Sequence, residues 1–359
     1  MAAGASVATV ALTMGTAMAD PLPPPPPYPP VSIVGAQTTQ ELFNTMCNNN
    51  TSFRNPAGST NPNTRLCQSW GVDPQPSSIV TRDPVAHPEC SPHNPGPPAL
   101  PDGILRPKQG GDGTDRLIQF PTCVDVARVV TNDSATRPAG LTYIPMATDA
   151  LTYAIRGDNS IVPPDLSDSD LHEIYTCNPA YVFDKVTGHN PNGFQPLLGS
   201  FGAGNRTQLF KLLHITDAAN YTDPGQPGEC ITDKDANGVG LLANDGRVLT
   251  NKAQLITYSA APWLAQVFKA APDIHGASIL GSINGISPAI LNDGSFGART
   301  VFNVVRTSDT ASGNVHDLFV GSGSKVCSDS ADIKRAGFNT LPGTTPATTC
   351  GNTSIVSGN

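Results

Sequence analysis

The sequence predicts an α/β protein with largely parallel sheets, and three observations carry that expectation. Short apolar runs alternate with capped amphipathic segments along the chain. Glycine turns lead from a run into the next helix at residues 35–41, 108–113 and 199–204. Such a junction leaves N–H groups unpaired at the helix start, with the positive end of the helix dipole behind them. In open sheets of this class, ligands sit where strand C-termini meet helix N-termini.

The elements follow in order. Residues 1–19 read as the end of a secretory signal peptide, with an apolar run at 7–12 and a small-x-small pattern at Ala17-Met18-Ala19. No positive residues precede the apolar run, which favours a start upstream of Met1. Residues 20–31 form a stiff linker, with eight prolines in 21–30. Residues 31–34 are a buried strand. Thr38 and Glu41 form a capping box, and Leu42, Phe43 and Met46 give the helix its apolar face. Residues 48–101 are a surface excursion rich in Asn, Pro, Ser and Gly.

A further helix is expected from Thr114. Residues 122–130 form a strand with Asp125 and Arg128 embedded in it, charges that pair with each other or with a ligand. Residues 141–155 read as two β-rich runs broken by Pro145 and by Thr148-Asp149. Ser167 caps a helix carrying Leu171, Ile174 and Tyr175. In residues 196–215 an apolar run turns through glycines into a helix, with Asn205 and Gln208 as its capping box. Asn244-Asp245-Gly246 suggests a hairpin. Residues 259–269 form a helix with Trp263, Leu264, Val267 and Phe268 on one face. Strands follow at 279–286 and 298–305, and Cys350 is the expected anchor of the tail beyond Phe338.

Composition narrows the function. Of 359 residues, 14% are charged and the net charge is −8, which argues against a nucleic-acid surface. No apolar stretch beyond the N-terminus approaches a membrane span. The eight cysteines form no CxxC, and their wide spacing does not suit zinc. An even number in an exported chain favours disulfides, and pairing of neighbours (Cys47–Cys67, Cys90–Cys123, Cys177–Cys230, Cys327–Cys350) is the simplest of the 105 pairings that eight cysteines allow.

The glycine turn before Asn205 is a ready anion site, to which Arg206 could add a bidentate donor. The competing reading is a tight turn with a solvated arginine. Asp233, Asp235 and Asn237 resemble the first half of a calcium loop. Asn244 stands where a bidentate Glu is needed, and a polar turn is the favoured reading. Enzyme signatures are incomplete. Ser322-Gly323-Ser324-Lys325 fits S-x-x-K without its partner motifs, and Leu198-Gly199-Ser200-Phe201-Gly202 lacks the first glycine of a nucleophile elbow. A non-enzyme without cofactor is expected.

An ordered set of segments carries a resemblance: VGAQTTQELFN (34–44), LRPKQGGDG (105–113), CVDVAR (123–128), LTYIPMATDALTYAI (141–155), LSDSDLHEIYTC (166–177), PLLGSFGAGNRTQLF (196–210), NDGRVL (244–249) and INGISP (283–288). Over residues 33–340 the chain resembles the secreted phosphate-binding, type II periplasmic solute-binding proteins of ABC transporters, in their cysteine-containing branch. The resemblance implies a type II periplasmic-binding-protein fold. Two lobes, each with a mostly parallel sheet flanked by helices, would enclose a cleft. The expected division is 32–147 and 256–345 for lobe 1, 148–255 for lobe 2, and 346–359 for a tail.

The resemblance also implies a ligand set, with Arg206 as the main positive charge. Gln37, Thr38 and Thr39 would contribute from the first turn and Arg128 from the strand. Gly202, Ala203, Gly204 and Asn205 would contribute from the second turn. The branch commonly reads Gly-Ser-Asp-Thr-Thr where this chain has Gly35-Ala36-Gln37-Thr38-Thr39, and Gly-Ser-Gly-Thr-Arg where it has Gly202-Ala203-Gly204-Asn205-Arg206. A small oxyanion, with phosphate leading, is the expected ligand; a secreted binding or structural module with an altered or lost ligand is the alternative, and a hydrolase the less favoured one. A monomer serving an ABC permease outside the cytoplasm completes the expectation.

Overall fold

The computed structural model describes residues 28–48, 50–55, 64–72, 77–90, 103–130, 137–183, 188, 190, 192–288 and 296–356. The expected signal peptide and most of the proline linker lie outside the described residues. The strands are β1 Val31–Gly35, β2 Cys67–Ser69, β3 Ser78–Ile79, β4 Ile104–Leu105, β5 Val126–Val129, β6 Leu141–Arg156, β7 Asp165–Leu166, β8 Gln195–Leu197, β9 Gln254–Ser259, β10 Ser278–Leu280, β11 Ser282–Ile283, β12 Ala298–Arg306 and β13 Asn339–Thr340. The helices are α1 Gln40–Asn48, α2 Gly110–Gln119, α3 Asp168–Tyr175, α4 Gly204–Leu212, α5 Ala260–Val267, α6 Gly313–Phe319, α7 Lys325–Ser328 and α8 Ser330–Arg335.

A nine-stranded sheet runs β2-β1-β5-β12-β6-β9-β8, with β10 and β13 also paired to β6. Its two wings are parallel: β2, β1 and β5 on one side, β8 and β9 on the other. Every antiparallel pairing in this sheet involves β6 or β12, the strands that join the wings. The fold is therefore α/β with two lobes. One set of apolar residues packs around β1 and α1 and includes Ile33, Phe43, Ile144 and Phe319. A separate set packs around α3 and α4, where Phe210 meets Tyr221 and Tyr175 edge-on.

Strand β6 is one element rather than the two expected runs. Pro145 is tolerated because the register with β12 shifts between Val301 and Phe302, the residue opposite it. Asp149 does not break the strand because its carboxylate is buried in an ion pair with Arg299. The N-terminal part of β6 pairs with β12, and Leu151–Ile155 pairs with β9, so a single strand threads both lobes.

Several local expectations are corrected. Ser167 does cap α3 with a full capping box. The two other boxes do not form: the turn before α1 has Ala36 at its N-cap, and α4 starts on Ala203, neither with a side-chain cap. Thr38 and Asn205 turn instead toward partners across the chain. Helix α2 starts at Gly110, ahead of Thr114. The Asn244-Asp245-Gly246 segment is a capped 3-10 turn, with the Asp245 side chain accepting from the Arg247 N–H, and not a hairpin.

Helix α5 buries Ala260, Ala261, Ala265 and Gln266, leaving Phe268 exposed, so its small face is the packed one. The 279–286 segment splits into β10 and β11. The tail has anchors besides Cys350, since Tyr143 N–H bonds Ile355 O and β13 pairs β6. All eight cysteines are paired as neighbours, which fits an oxidising compartment. Among the described residues, no helix is long and apolar enough to cross a membrane.

Candidate functional site

Three helix starts converge on one small void of about 30 Å³. The segment before α1 contributes Ala36, Gln37 and Thr38; the start of α2 contributes Lys108, Gln109 and Gly110; the start of α4 contributes Ala203, Gly204 and Asn205. In α2 the first N–H to reach a helical acceptor is that of Gly113, bonded to Gln109 O. In α4 it is that of Thr207, bonded to Ala203 O. The preceding amides of each helix have no acceptor one turn back, and the helix dipole places positive potential there.

Glycines make the convergence possible at two places. Gly35 has φ 112°, and a Cβ on it would meet Arg128 O at 2.6 Å, so the end of β1 lies directly against β5. Gly202 has φ 81°, and a Cβ there would meet Gln109 Nε2 at 2.1 Å. The turn before α4 is thus closed down on the turn before α2 across the cleft.

A buried polar network forms the floor. Arg299 pairs with Asp149, which also accepts from the Ala261 N–H. Nη2 of Arg299 donates to Asn205 Oδ1 (2.6 Å) and to Ser259 Oγ (2.7 Å). Asn205 Nδ2 donates to Asn244 Oδ1 (3.1 Å), which also accepts from the Ser259 N–H (3.0 Å). A backbone N–H and a guanidinium only donate, so both amide orientations are fixed by their partners. Ser259 Oγ accepts from Arg299 and donates to Asn205 Oδ1, which leaves the Thr38 hydroxyl (3.3 Å away) as a donor to Ser259. Asn244 is 2% exposed and lines the void, and its Nδ2 has no partner. An unpaired buried donor costs about 1–3 kcal/mol, which an acceptor in the void would recover.

Of the expected ligand set, Gln37, Thr38, Ala203, Gly204 and Asn205 line the void, and Gly202 closes it through Gln109. Thr39 is buried behind it with an unpartnered Oγ1. The two arginines are directed elsewhere. Arg206 is fully buried. It binds Asp217 through Nε and Nη2, Asp233 through Nη1 (2.9 Å), and Ala218 O through Nη2. Phe201 and Phe210 cover its guanidinium.

Two carboxylates therefore hold the charge that the sequence assigned to the ligand. Asp233 is likewise engaged, accepting from Thr222 as well, while Asp235 Oδ1 accepts the N–H groups of Asn237 and Val239. The calcium-loop resemblance resolves into an ion pair and an Asx turn.

Arg128 is also fully buried. It donates to Gly35 O, Ala36 O, Trp70 O and Ser69 Oγ, and so supports the turn before α1 from behind. Burial pushes its guanidinium down to about 9, with Glu41 opposing the shift, so it is charged at neutral pH. Asp125 does not pair with it. Its carboxylate binds Arg82 and lies 3.6 Å from Arg306.

Sequence reasoning missed Lys108, Gln109, Ser200, Asn244, Ser259 and the Asp149–Arg299 pair. The glycine turn at 108–113 shared the design of the other two and was the available signal for the first pair. Asn244 reads locally only as a turn residue and nothing local marks Ser259; both join the site through long-range contacts.

No protein-family model matches the chain, and no curated protein matches it. Among solved structures, an ABC-type phosphate transport receptor from Vibrio cholerae is 13% identical, covering 86% of this chain and 99% of its own, with a TM-score of 0.47. A putative phosphate ABC transporter substrate-binding protein from Clostridium perfringens, with bound phosphate, is 12% identical, with coverage of 86% and 98% and a TM-score of 0.47. OxyR from Corynebacterium glutamicum is 12% identical, with coverage of 79% and 60% and a TM-score of 0.36. A phosphate-binding protein from Stenotrophomonas maltophilia is 13% identical, with coverage of 86% and 90% and a TM-score of 0.42.

Proposed function

We propose that this chain is a solute-binding protein that holds a small oxyanion, with inorganic phosphate as reference ligand, for an ABC permease outside the cytoplasm. It works as a monomer without catalysis. The ligand sits between a lobe built on β1, β2 and β5 and one built on β8 and β9; a boundary at residue 256 would cut β9, and β10 and β11 pair with β6 and β7 on the side of the second lobe. The observation that carries the reading is the convergence of three helix starts and the unpaired Asn244 Nδ2 on one void. Backbone amides and helix dipoles bind anions without a dedicated arginine. Lys108, exposed at the void, adds the nearby positive charge.

A void of this size holds about two waters. A tetrahedral oxyanion therefore enters as the contacts of Gln109 with Gly202 and of Val130 with Gly204 loosen. A second reading, a secreted binding module with an altered ligand, draws on one observation: Arg128, Arg206 and Arg299 all have partners within the protein.

Isothermal titration and thermal shift with phosphate, sulfate and molybdate separate the two. An oxyanion present at 100 times its Kd adds about 2.7 kcal/mol of stability. Asn244→Ala is expected to weaken binding by about tenfold. Absence of a shift with every anion at millimolar concentration sinks the oxyanion reading.

A further inference from the structure

A chamber of about 190 Å³ adjoins the void, and the two share Gln37, Thr38, Leu242 and Asn244 as lining residues. Its walls come from α1, from α5 and from residues 271–274, and are largely apolar: Leu42, Pro262, Ala265, Pro272 and Ile274. An inorganic oxyanion at the helix starts leaves this space unused. A cavity of about 150 Å³ holds a benzene-sized molecule, so the chamber accommodates a body of about six heavy atoms. It reaches solvent at Arg247, whose side chain is 60% exposed and paired with Asp245.

Polarity sets the direction in which a ligand would lie. Glu41 lines the chamber and accepts from Gln40 Nε2 at 3.1 Å, and from Asn44 Nδ2 at 3.4 Å on each oxygen. A carboxylate has about four acceptor positions, so capacity remains for another donor. Burial raises the Glu41 pKa, against the hydrogen bonds from Gln40 and Asn44 and the charge of Arg128. A carboxylate repels an anionic head and attracts an amine. Gln266, by contrast, is satisfied, donating to Asn244 O and accepting from Tyr258. Asn244 stands between the two spaces with its free Nδ2 donor.

We propose that the ligand is an organic oxyanion, a phosphonate or phosphate monoester with a short aminoalkyl body. Its head lies at the three helix starts, its carbon chain along Leu42, Leu242 and Ala265, and its amine toward Glu41. This inference rests on the oxyanion reading above and specifies its ligand class.

Titration of the full chain with 2-aminoethylphosphonate, O-phosphoethanolamine, propylphosphonate and inorganic phosphate tests it. Both amines are expected to bind at least about tenfold tighter than phosphate, with propylphosphonate between. The two amines against each other distinguish phosphonate from ester. Ala265→Trp, which fills the chamber, is expected to bring the ratio of organic to inorganic affinity down to about one. Pro272→Trp, at a half-buried position, gives the same readout if the first variant does not fold. Glu41→Gln is expected to bring the amines level with propylphosphonate. Phosphate binding as tightly as the organic anions, or ratios unmoved by either Trp variant, overturns the chamber proposal and leaves the oxyanion reading standing. Binding of none of the four overturns both.

Discussion

Arg128 and Arg206 lie beneath two units of the same sequence design, each a strand, a glycine turn and a helix, and their donors are satisfied in opposite ways. Arg128 meets three backbone carbonyls and a hydroxyl, which satisfy its donors and leave its net charge in place. Arg206 meets two carboxylates, so its cluster carries a net −1. The turn before α1 is therefore backed by a buried cation, and the turn before α4 by a buried anion cluster. An arginine next to a glycine turn is not evidence of a ligand contact until its other neighbours are known. Here the anion-attracting side of the void belongs to β1 and α2 more than to α4.

Breaking each arginine in turn sharpens this contrast. The largest effect is expected from Arg206→Met, which leaves Asp217 and Asp233 without their partner. Removing one side of a buried pair costs about 3–5 kcal/mol, read as a fall in melting temperature. Asp217→Asn on that background should recover part of the loss. A variant of normal stability with lost anion affinity would reverse the comparison.

Arg128→Met is expected to cost less, about 2–4 kcal/mol, because it uncovers dipoles rather than charges. It should also weaken oxyanion binding, and Arg128→Lys should restore affinity better than stability. Equal affinity in all three forms would show that the buried charge is not felt in the void.

The smallest effect concerns Glu41, the carboxylate that faces Arg128 across the first turn. Its folded pKa is raised above the ordinary 4.5 by burial. In the pH window between those two values the folded state binds more protons than the unfolded, so stability falls as pH rises through it. Glu41→Gln is expected to flatten that slope and to be slightly more stable than the parent at neutral pH. Urea unfolding at acidic and neutral pH checks the sign.

Much of the architecture was legible. Helix and strand positions followed from periodicity at 31–34, 167–175 and 298–305, where one face is buried and the local signal agrees with the fold. The misses have physical causes. Pro145 and Asp149 looked like strand breakers, but a bulge and a buried arginine 150 residues away absorbed them. Thr38 and Asn205 had the spacing of capping residues, yet both were drawn into a network whose other members lie on β6, β9, β12 and the 244 turn. The helix starts that frame the void could be read locally. The destination of each arginine could not, since Asp217 and Asp233 carry no mark that they face Arg206.

The disulfides have a mechanical consequence. Cys47–Cys67, Cys90–Cys123 and Cys327–Cys350 brace the lobe built on β1 and β5, and Cys177–Cys230 braces the one built on β8 and β9. None spans the joint. The molecule is riveted within each leaf, while the leaves meet through strand β6, through the Arg299–Asn205 and Thr38–Ser259 hydrogen bonds of the floor network, and through the approach of Gln109 to Gly202. Oxidation therefore hardens the protein against unfolding without fixing the angle between its halves, and a solute lodged at the helix starts would become the clasp.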